Sequence, residues 1–390
     1  MLAIGGRVIM FGRISNRNAL MTDFPRFTAL ARNLPATVPF VGPEALERTR
    51  NYPINARLGA NESGFGPAST VLAAIREAAG EIWKYSDPEH LSLRQALAAH
   101  LGCGSENIVI GEGVDGLLGM AVRLTVEPGT TVVTSLGGYP TFNYHVDGYG
   151  GRRINVPYAG DREDLDGLLE AVKAEDATMV YFANPDNPMG SFWHADDVIR
   201  FADALPETCM LVLDEAYCEC GPAEAFPDMS RFIDRPNILR FRTFSKAYGL
   251  AGARVGYAIG APQTIRAFDK IRNHFGMPRL SLVAAEAALA DQAYLQAVVG
   301  RIIASREEIA GIARDNGLTP LPSATNFVAI DCGRDGAYAR SIVDALGARG
   351  VFIRMPGVAP LNRCIRISTG PHRDMQLLAE ELPIVLEALG

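Results

Sequence analysis

Short apolar runs alternate with longer amphipathic runs between about residues 107 and 257. The apolar runs are rich in β-branched and aromatic side chains, which is typical of buried strands. The predicted strands are Ile108–Ile110, Thr131–Thr134, Met179–Phe182 and Met210–Leu213. The predicted helices between them include residues 164–174 and 196–205. This alternation predicts an α/β fold whose mostly parallel sheet is covered by helices on both faces.

The pattern changes after about residue 266. Residues 280–316 form a long Ala-rich stretch, which predicts a helix that bridges two domains. Strand-like runs follow at 326–331, 351–354 and 364–368, and a last helix is predicted over 374–389. These elements predict a smaller α+β domain. We divide the chain into an N-terminal extension (1–20), a segment that joins the small domain (21–50), a large domain (51–270) and a small domain (271–390).

Composition excludes several classes of partner and site. The 390 residues carry a formal net charge of -7 without a recurring basic patch, so we expect no nucleic acid. No apolar run is long enough to cross a membrane, and Arg7 interrupts the apolar start of the chain. Of six cysteines only Cys218 and Cys220 are close together. This spacing favours reduced thiols in a cytoplasmic protein and predicts no metal site.

A lysine segment carries the strongest chemical signal. Lys246 follows an apolar strand and precedes a Gly-rich stretch that contains Arg254. A lysine among apolar groups and near another cation has a lowered pKa, and its amine can then attack a carbonyl. A single lysine after a strand is more often a surface residue, so this prediction depends on the surrounding motif.

Three further segments follow predicted strands, where the functional residues of open α/β sheets gather. Residues 111–116 read Gly-Glu-Gly-Val-Asp-Gly, which matches the dinucleotide fingerprint, but the next strand ends without the acidic residue that a nicotinamide site requires. Free N–H groups at such a helix start still suit a phosphate. Asn187 lies in a rigid Asn-Pro loop, and its amide could donate to a cofactor oxygen. Asp214 ends an apolar strand.

Arg366 lies within the apolar run 364–368. A guanidinium can bind a carboxylate through two hydrogen bonds. An arginine in a strand more often points to solvent, so this signal is also weak by itself.

The order and spacing of these segments resemble the fold type I aminotransferases of class I/II, which depend on pyridoxal 5'-phosphate (PLP). Within them the chain is most similar to the histidinol-phosphate aminotransferase family. The matching stretches are Leu58–Glu62, Gly113–Gly116, Tyr139–Phe142, Asn184–Gly190, Asp214–Tyr217, Thr243–Gly256 and Arg366.

The resemblance implies a role for each matching residue. Lys246 would bind PLP covalently and move the proton, Asp214 would pair with the pyridine nitrogen, and Tyr217 would bond to the phenolic oxygen. Other cofactor ligands would be Val114, Asp115, Phe142 (stacked on the ring), Asn187 (on the phenolic oxygen), Thr243, Ser245 and Arg254. Substrate ligands would be Arg366, Arg354 and Asn61. The partners implied are a small amino donor, a 2-oxo acid acceptor and a second copy of the chain, with the active site at the dimer interface.

Two positions depart from the family pattern. Phe65 stands where the family has a tyrosine that reaches the partner subunit's cofactor phosphate, and Met189 replaces a threonine. The change at Phe65 loosens the case for histidinol phosphate as the substrate. An aromatic amino acid aminotransferase and a PLP-dependent phospho-amino-acid decarboxylase of the same fold therefore stay open as alternatives. A non-catalytic regulator and a dehydrogenase are disfavoured.

Overall fold

A computed structural model describes residues 27–36, 42–50 and 53–390 of the chain. The described residues fall into two compact units, the first within 27–36 and the second from residue 42 onward. The first unit contains the short helix Ala29–Asn33, which begins where the Thr28 hydroxyl accepts a hydrogen bond from the Ala31 N–H. The predicted extension over residues 1–20 lies outside the described residues.

The second unit is built on a seven-stranded sheet. Its strands are β2 (Ile108–Glu112), β3 (Thr131–Ser135), β4 (Arg152–Val156), β5 (Met179–Ala183), β6 (Met210–Asp214), β7 (Ile238–Thr243) and β8 (Val255–Gly260). They lie in the order β2-β8-β7-β6-β5-β3-β4. β8 is antiparallel to both of its neighbours, and the strands from β7 to β4 are parallel to one another.

The remaining strands form two small sheets. β1 (Ala56–Arg57) pairs in parallel with β11 (Val351–Phe352). β10 (Phe327–Asp331) lies between β9 (Thr319–Pro320) and β12 (Cys364–Ser368) and is antiparallel to both. The helices of the second unit are Pro43–Arg50, Ser69–Ala78, Leu91–Leu101, Gly113–Thr125, Pro140–Gly148, Leu165–Ala174, Ala195–Ala204, Pro262–Phe268, Arg279–Ala290, Gln292–Asp315, Gly336–Ala348 and His372–Leu389.

The predicted α/β class with a mostly parallel sheet is confirmed, and the predicted apolar strands correspond to β2, β3, β5 and β6. The pattern did not reveal β4, because this edge strand is largely polar and only Val156 in it is fully buried. The long helix predicted over 280–316 is two helices, because the backbone of Asp291 is not helical and ends the first, while its side chain caps the second by accepting from the Tyr294 N–H.

Two of the hydrophobic clusters in the second unit bear on how its elements pack. Leu282 and Leu295 pack with strand residues of the seven-stranded sheet, in the core of that sheet. Ala56 and Leu58 pack with β10 and β12 instead, in what we call the second core. The helix Gln292–Asp315 contributes Ile302 to the sheet core and Ile309 to the second core. It therefore bridges these two cores.

Candidate active site

A cavity of about 560 Å³ lies at the carboxyl ends of β5, β6 and β7, and residues 354–358 and Arg366 also line it. In open α/β sheets this is the edge at which ligands bind. It brings together twelve of the thirteen site residues predicted from the sequence: Asn61, Val114, Asp115, Asn187, Asp214, Tyr217, Thr243, Ser245, Lys246, Arg254, Arg354 and Arg366.

Lys246 follows β7 and points its amine into this cavity. The Nζ donates to the Asn61 backbone oxygen at 3.2 Å and lies 5.4 Å from the centre of the Tyr217 ring. Burial lowers the pKa of the Lys246 amine to about 8, and the nearby positive charge of Arg366 adds to this effect. A larger share of the amine is therefore unprotonated and nucleophilic near neutral pH than in an ordinary lysine.

Asp214 ends β6 and is buried beside Lys246. The Tyr181 hydroxyl donates to Asp214 Oδ2 at 2.7 Å, and the Ala216 N–H donates to Oδ1 at 3.0 Å. Burial raises the pKa of Asp214 to about 6, although these hydrogen bonds and Lys246 oppose the rise. A carboxylate held in this way can stabilise a positive charge that arrives with a ligand.

Asn61 connects the substrate side of the cavity to Tyr217. Its Nδ2 donates to the Tyr217 hydroxyl at 2.9 Å, and its Oδ1 accepts from the Ser368 hydroxyl at 3.0 Å. The backbone of Asn61 is left-handed, with a φ of 55°. Asparagine tolerates this conformation better than most residues, so its type suits both the turn and the hydrogen bonds.

One end of the cavity is formed by the start of the helix Gly113–Thr125, where Val114 and Asp115 have free N–H groups. A Cβ atom on Gly113 would lie 2.4 Å from Arg254 Nη2, and one on Gly256 would lie 2.6 Å from the Val114 nitrogen. Glycine at both positions therefore lets a guanidinium and a helix start converge. Thr243 and Ser245, which are hydrogen-bonded to each other at 2.9 Å, line the same end. Such an arrangement suits a phosphate.

Two arginines lie at the other end. Arg354 and Arg366 form an antiparallel bridge through their backbones, so their side chains come from neighbouring segments of the same chain. Arg366 donates through Nη1 to Asn187 Oδ1 and through Nη2 to the Gly59 oxygen at 3.2 Å, whereas its buried Nε has no partner. Burial lowers the pKa of Arg366 to about 10, and the charge of Arg354 contributes. Two cations held in this way favour an anionic ligand.

Phe142 is the predicted site residue that the cavity does not include. Its side chain is fully buried in the sheet core and stacks on Tyr181 with the ring centres 4.4 Å apart. Phe142 therefore lies behind the cavity wall, and its stacking on the cofactor stays a prediction. Tyr139, three residues earlier, lines the cavity instead.

Sequence reasoning missed further cavity residues besides Tyr139, and three of them are polar side chains of β4 and β5. Tyr181 is the hydrogen-bond donor to Asp214, and Arg153 and Asn155 come from β4. The polar alternation along β4 was the available signal for the last two. Phe65 packs against the sheet core and does not line the cavity, while its backbone oxygen accepts from the Tyr294 hydroxyl at 3.2 Å.

Comparisons with known proteins agree with this geometry. The model of the family "Aminotransferase class I and II" matches residues 54–382. The chain belongs to this family. It also belongs to the branch of the histidinol-phosphate aminotransferases, since it is 36% identical to histidinol-phosphate aminotransferase 1 of Mesorhizobium japonicum over 81% of this chain and 86% of that protein. The corresponding protein of Moorella thermoacetica is 31% identical over 85% of each chain.

Solved structures give the same result. The histidinol-phosphate aminotransferase of Sinorhizobium meliloti, in complex with PLP, is 64% identical and superposes with a TM-score of 0.93 over 95% of this chain and 100% of that chain. The aspartate aminotransferase of Thermus thermophilus, at 21% identity and a TM-score of 0.74, shares the fold over 88% of this chain and 94% of that chain. The predicted family, fold type and aminotransferase class are confirmed.

The aminotransferase has further features that bear on its chemistry. All six cysteines are free thiols. Within the described ranges no group of three or more His, Cys, Asp and Glu side chains is arranged to hold a metal ion. In the same part of the chain, no helix combines the length and the apolar character that crossing a membrane requires.

Proposed function

We propose that this aminotransferase binds PLP in the cavity and moves the amino group of histidinol phosphate to 2-oxoglutarate. The observation that carries the proposal is the pairing of the Lys246 amine, whose pKa is lowered, with the buried carboxylate of Asp214. The cavity that holds this pair has the helix start at Gly113 at one end and two arginines at the other. The PLP in the Sinorhizobium meliloti relative supports the choice of cofactor.

The residues present fit PLP. The space beside Gly113 and Gly256, which a Cβ would fill, leaves the helix N–H groups and Arg254 free to hold the phosphate. Thr243 and Ser245 would add hydroxyls at this end, and Asp214, which also lines the cavity, would pair with the pyridine nitrogen. Tyr217 and Asn187 would bond to the phenolic oxygen. The bound cofactor supplies an electron sink for the negative charge that forms at the substrate α-carbon.

The protein's own groups account for the remaining chemistry. Lys246 Nζ is the base that takes the proton from the substrate α-carbon and later returns a proton, because its pKa of about 8 lies close to neutral pH. Asp214 keeps its negative charge near neutral pH and holds a proton on the ring nitrogen. Arg366, fixed by Asn187 and Gly59, binds the carboxylate of 2-oxoglutarate or the corresponding end of the amino donor.

Histidinol phosphate is the proposed donor because Arg354 adds a second cation beside Arg366. Arg354→Ala should raise KM for histidinol phosphate by about one to two orders of magnitude, since a charge-assisted contact contributes roughly 1.5–3 kcal/mol. Phenylalanine has no phosphate, so its KM should barely change. Equal losses with both donors would contradict a phosphate-binding role for Arg354.

Two alternatives can be separated with the wild-type enzyme. Turnover of phenylalanine or tyrosine without any turnover of histidinol phosphate favours an aromatic amino acid aminotransferase, for which the altered Phe65 position leaves room. Release of carbon dioxide from a phosphorylated amino acid, without formation of glutamate from 2-oxoglutarate, favours a decarboxylase. A panel of amino donors with 2-oxoglutarate tests all three readings.

A homodimer in the cytoplasm is part of the proposal. An exposed apolar patch supports the homodimer. Ile82, Trp83 and Tyr85 are 68%, 76% and 79% exposed, and Phe275 packs against Tyr85 with ring centres 4.9 Å apart. Contiguous exposed aromatic side chains are typical of an interface. Trp83→Glu should shift the sedimentation profile from dimer to monomer. Ile384→Glu, at another exposed apolar position, is the control and should leave a dimer. A dimer that survives Trp83→Glu would exclude this patch.

A further inference from the structure

A pair of buried carboxyl groups lies behind the cavity wall. Glu163 and Asp186 are 1% and 2% exposed, and their carboxyl groups hydrogen-bond to each other. Neither residue lines the cavity, and the chemistry described above uses neither of them.

Each carboxyl group also receives two hydrogen bonds. The Ser135 hydroxyl donates to Glu163 Oε2 at 2.6 Å, and the Ala183 N–H donates to Oε1 at 3.1 Å. The Tyr158 hydroxyl donates to Asp186 Oδ1 at 2.8 Å, and the Met189 N–H donates to Oδ2 at 3.0 Å. Two carboxylates in contact at a buried site cannot both ionise, so the pair holds one proton.

The surroundings decide which residue holds this proton. Burial raises the pKa of Glu163 well above its usual value, and the charge of Asp186 adds to the rise. Burial raises the pKa of Asp186 only to about 6, because Tyr158, the Met189 N–H and Arg366 favour its charged form. Both pKa values are raised, with burial as the first cause, and the larger rise favours Glu163 as the residue that holds the shared proton.

The pair is connected to the cavity through the loop that follows β5. Asp186 directly precedes Asn187, and its side chain fixes the N–H of Met189 on the far side of Pro188. Both ends of the cavity-lining dipeptide Asn187-Pro188 are thereby held. Asn187 in turn accepts from Arg366, and the negative charge of Asp186 favours the charged form of that arginine.

We propose that Glu163 is a positioning residue that holds Asp186 through the hydrogen bond between their carboxyl groups and so fixes Asn187 and Arg366 for the substrate carboxylate. The proposal rests on the proposed role of Arg366 as the carboxylate ligand. The ionisable groups that face the pair are Tyr158 from the segment after β4, Tyr181 from β5 and Arg366 from β12.

Glutamine at position 163 can reproduce the hydrogen bonds of a protonated glutamate, since its oxygen can accept from the Ala183 N–H and its amide can donate to Asp186. Glu163→Gln should therefore keep kcat/KM for 2-oxoglutarate within about threefold of wild type. Glu163→Ala removes the donor and should raise KM for 2-oxoglutarate by about tenfold, with a smaller change in kcat and unchanged PLP binding. This pattern is the split expected when an interaction made in substrate binding is lost. Glu170→Gln, at an exposed position, is the control.

An infrared difference spectrum tests the proton independently of turnover. Wild type minus Glu163→Gln at pH 8 should contain the band of a protonated carboxyl group, whereas wild type minus Glu170→Gln should not. Absence of this band, losses in Glu163→Gln as large as those in Glu163→Ala, or wild-type kinetics in Glu163→Ala would each overturn the proposal. If Glu163→Ala does not fold, the infrared band and the kinetics of Glu163→Gln decide. Failure of wild type to use 2-oxoglutarate would instead contradict the proposed function and would leave the infrared result standing.

Discussion

Asp214 and Glu215 are adjacent in the chain, and both are buried, yet their surroundings differ in kind. Glu215 forms salt bridges with Arg240 at 2.7 Å and with Arg242 at 2.8 Å. Burial by itself would raise the pKa of Glu215, but the positive charges of the two arginines lower it. Asp214 receives hydrogen bonds from a tyrosine and a backbone N–H, and its pKa rises to about 6. Two neighbouring carboxylates thus have opposite pKa shifts, because alternate residues at a strand end face different sides of a sheet.

The difference indicates how structural charges are told apart from functional ones. The charges around Glu215 are satisfied within the protein, and Arg240 also donates to the backbone oxygen of Pro227 at 3.1 Å. In the described part of the chain, no salt bridge within 4 Å involves Asp214, Lys246 or Arg366, although all three line one cavity. Buried charges without a protein counterion are costly. A ligand that supplies the missing counterions would therefore bind strongly at this point.

Removal of the nucleophile has the largest expected effect. Lys246→Ala should abolish turnover, because no other described lysine lines the cavity. Wild-type protein should absorb visible light as an imine, and borohydride should fix the cofactor to Lys246. Peptide mapping checks the site of labelling, and a label on another lysine would reject this role.

Neutralising Asp214 should remove catalysis without unfolding the protein. Asp214→Asn changes the charge with little change in shape, so turnover should fall by about two orders of magnitude or more if the carboxylate stabilises a protonated ring. The free energy of unfolding of the cofactor-free protein should stay the same or rise, since a buried charge without a counterion is lost. Steady-state kinetics and urea unfolding measure the two quantities, and wild-type turnover would refute the role.

Neutralising Glu215 should have the reverse result. Glu215→Gln leaves Arg240 and Arg242 without their shared counterion, and breaking a buried ion pair in this way costs about 3–5 kcal/mol of stability. At a temperature where the variant is folded, turnover per folded molecule should stay close to wild type. If Glu215→Gln instead lost turnover at full stability, the division between structural and functional charge at these two residues would be wrong.

The smallest expected effect is a shift in the titration of Lys246. Its folded-state pKa of about 8 lies below the unfolded value of 10.5, so the unfolded chain binds more protons between these pH values. The contribution of Lys246 to stability is therefore unfavourable below pH 8 and improves as the pH rises toward 10.5. Capture of PLP by the cofactor-free protein should accelerate with pH and level off above about 8.

Variants of its neighbours should move this midpoint in opposite directions. Arg366→Gln should raise it, because a repelling charge is lost, and Asp214→Asn should lower it, because an attracting charge is lost. Glu215→Gln should leave it in place. Stopped-flow measurements of PLP capture over this pH range provide the check, and equal shifts in the same direction would contradict the assignment of charges.

The sequence by itself determined the fold class and indicated twelve of the residues that line the cavity. Apolar periodicity located β2, β3, β5 and β6, because buried strands must be continuous in hydrophobic residues. The order of the segments around Lys246, Asp214 and Arg366 then indicated the family, and the carboxyl ends of parallel strands necessarily meet at one edge of the sheet.

Only the tertiary structure decided which side chains actually face the cavity and which charges are satisfied. Phe142 and Tyr139 are three residues apart on one turn of chain, and packing against Tyr181 buries Phe142 and leaves Tyr139 at the wall. Likewise, Glu163 and Asp186 are 23 positions apart and meet only because β5 and its loop bring them together. Orientation, desolvation and the pKa of a buried group depend on atoms that are distant in sequence, and no local pattern contains them.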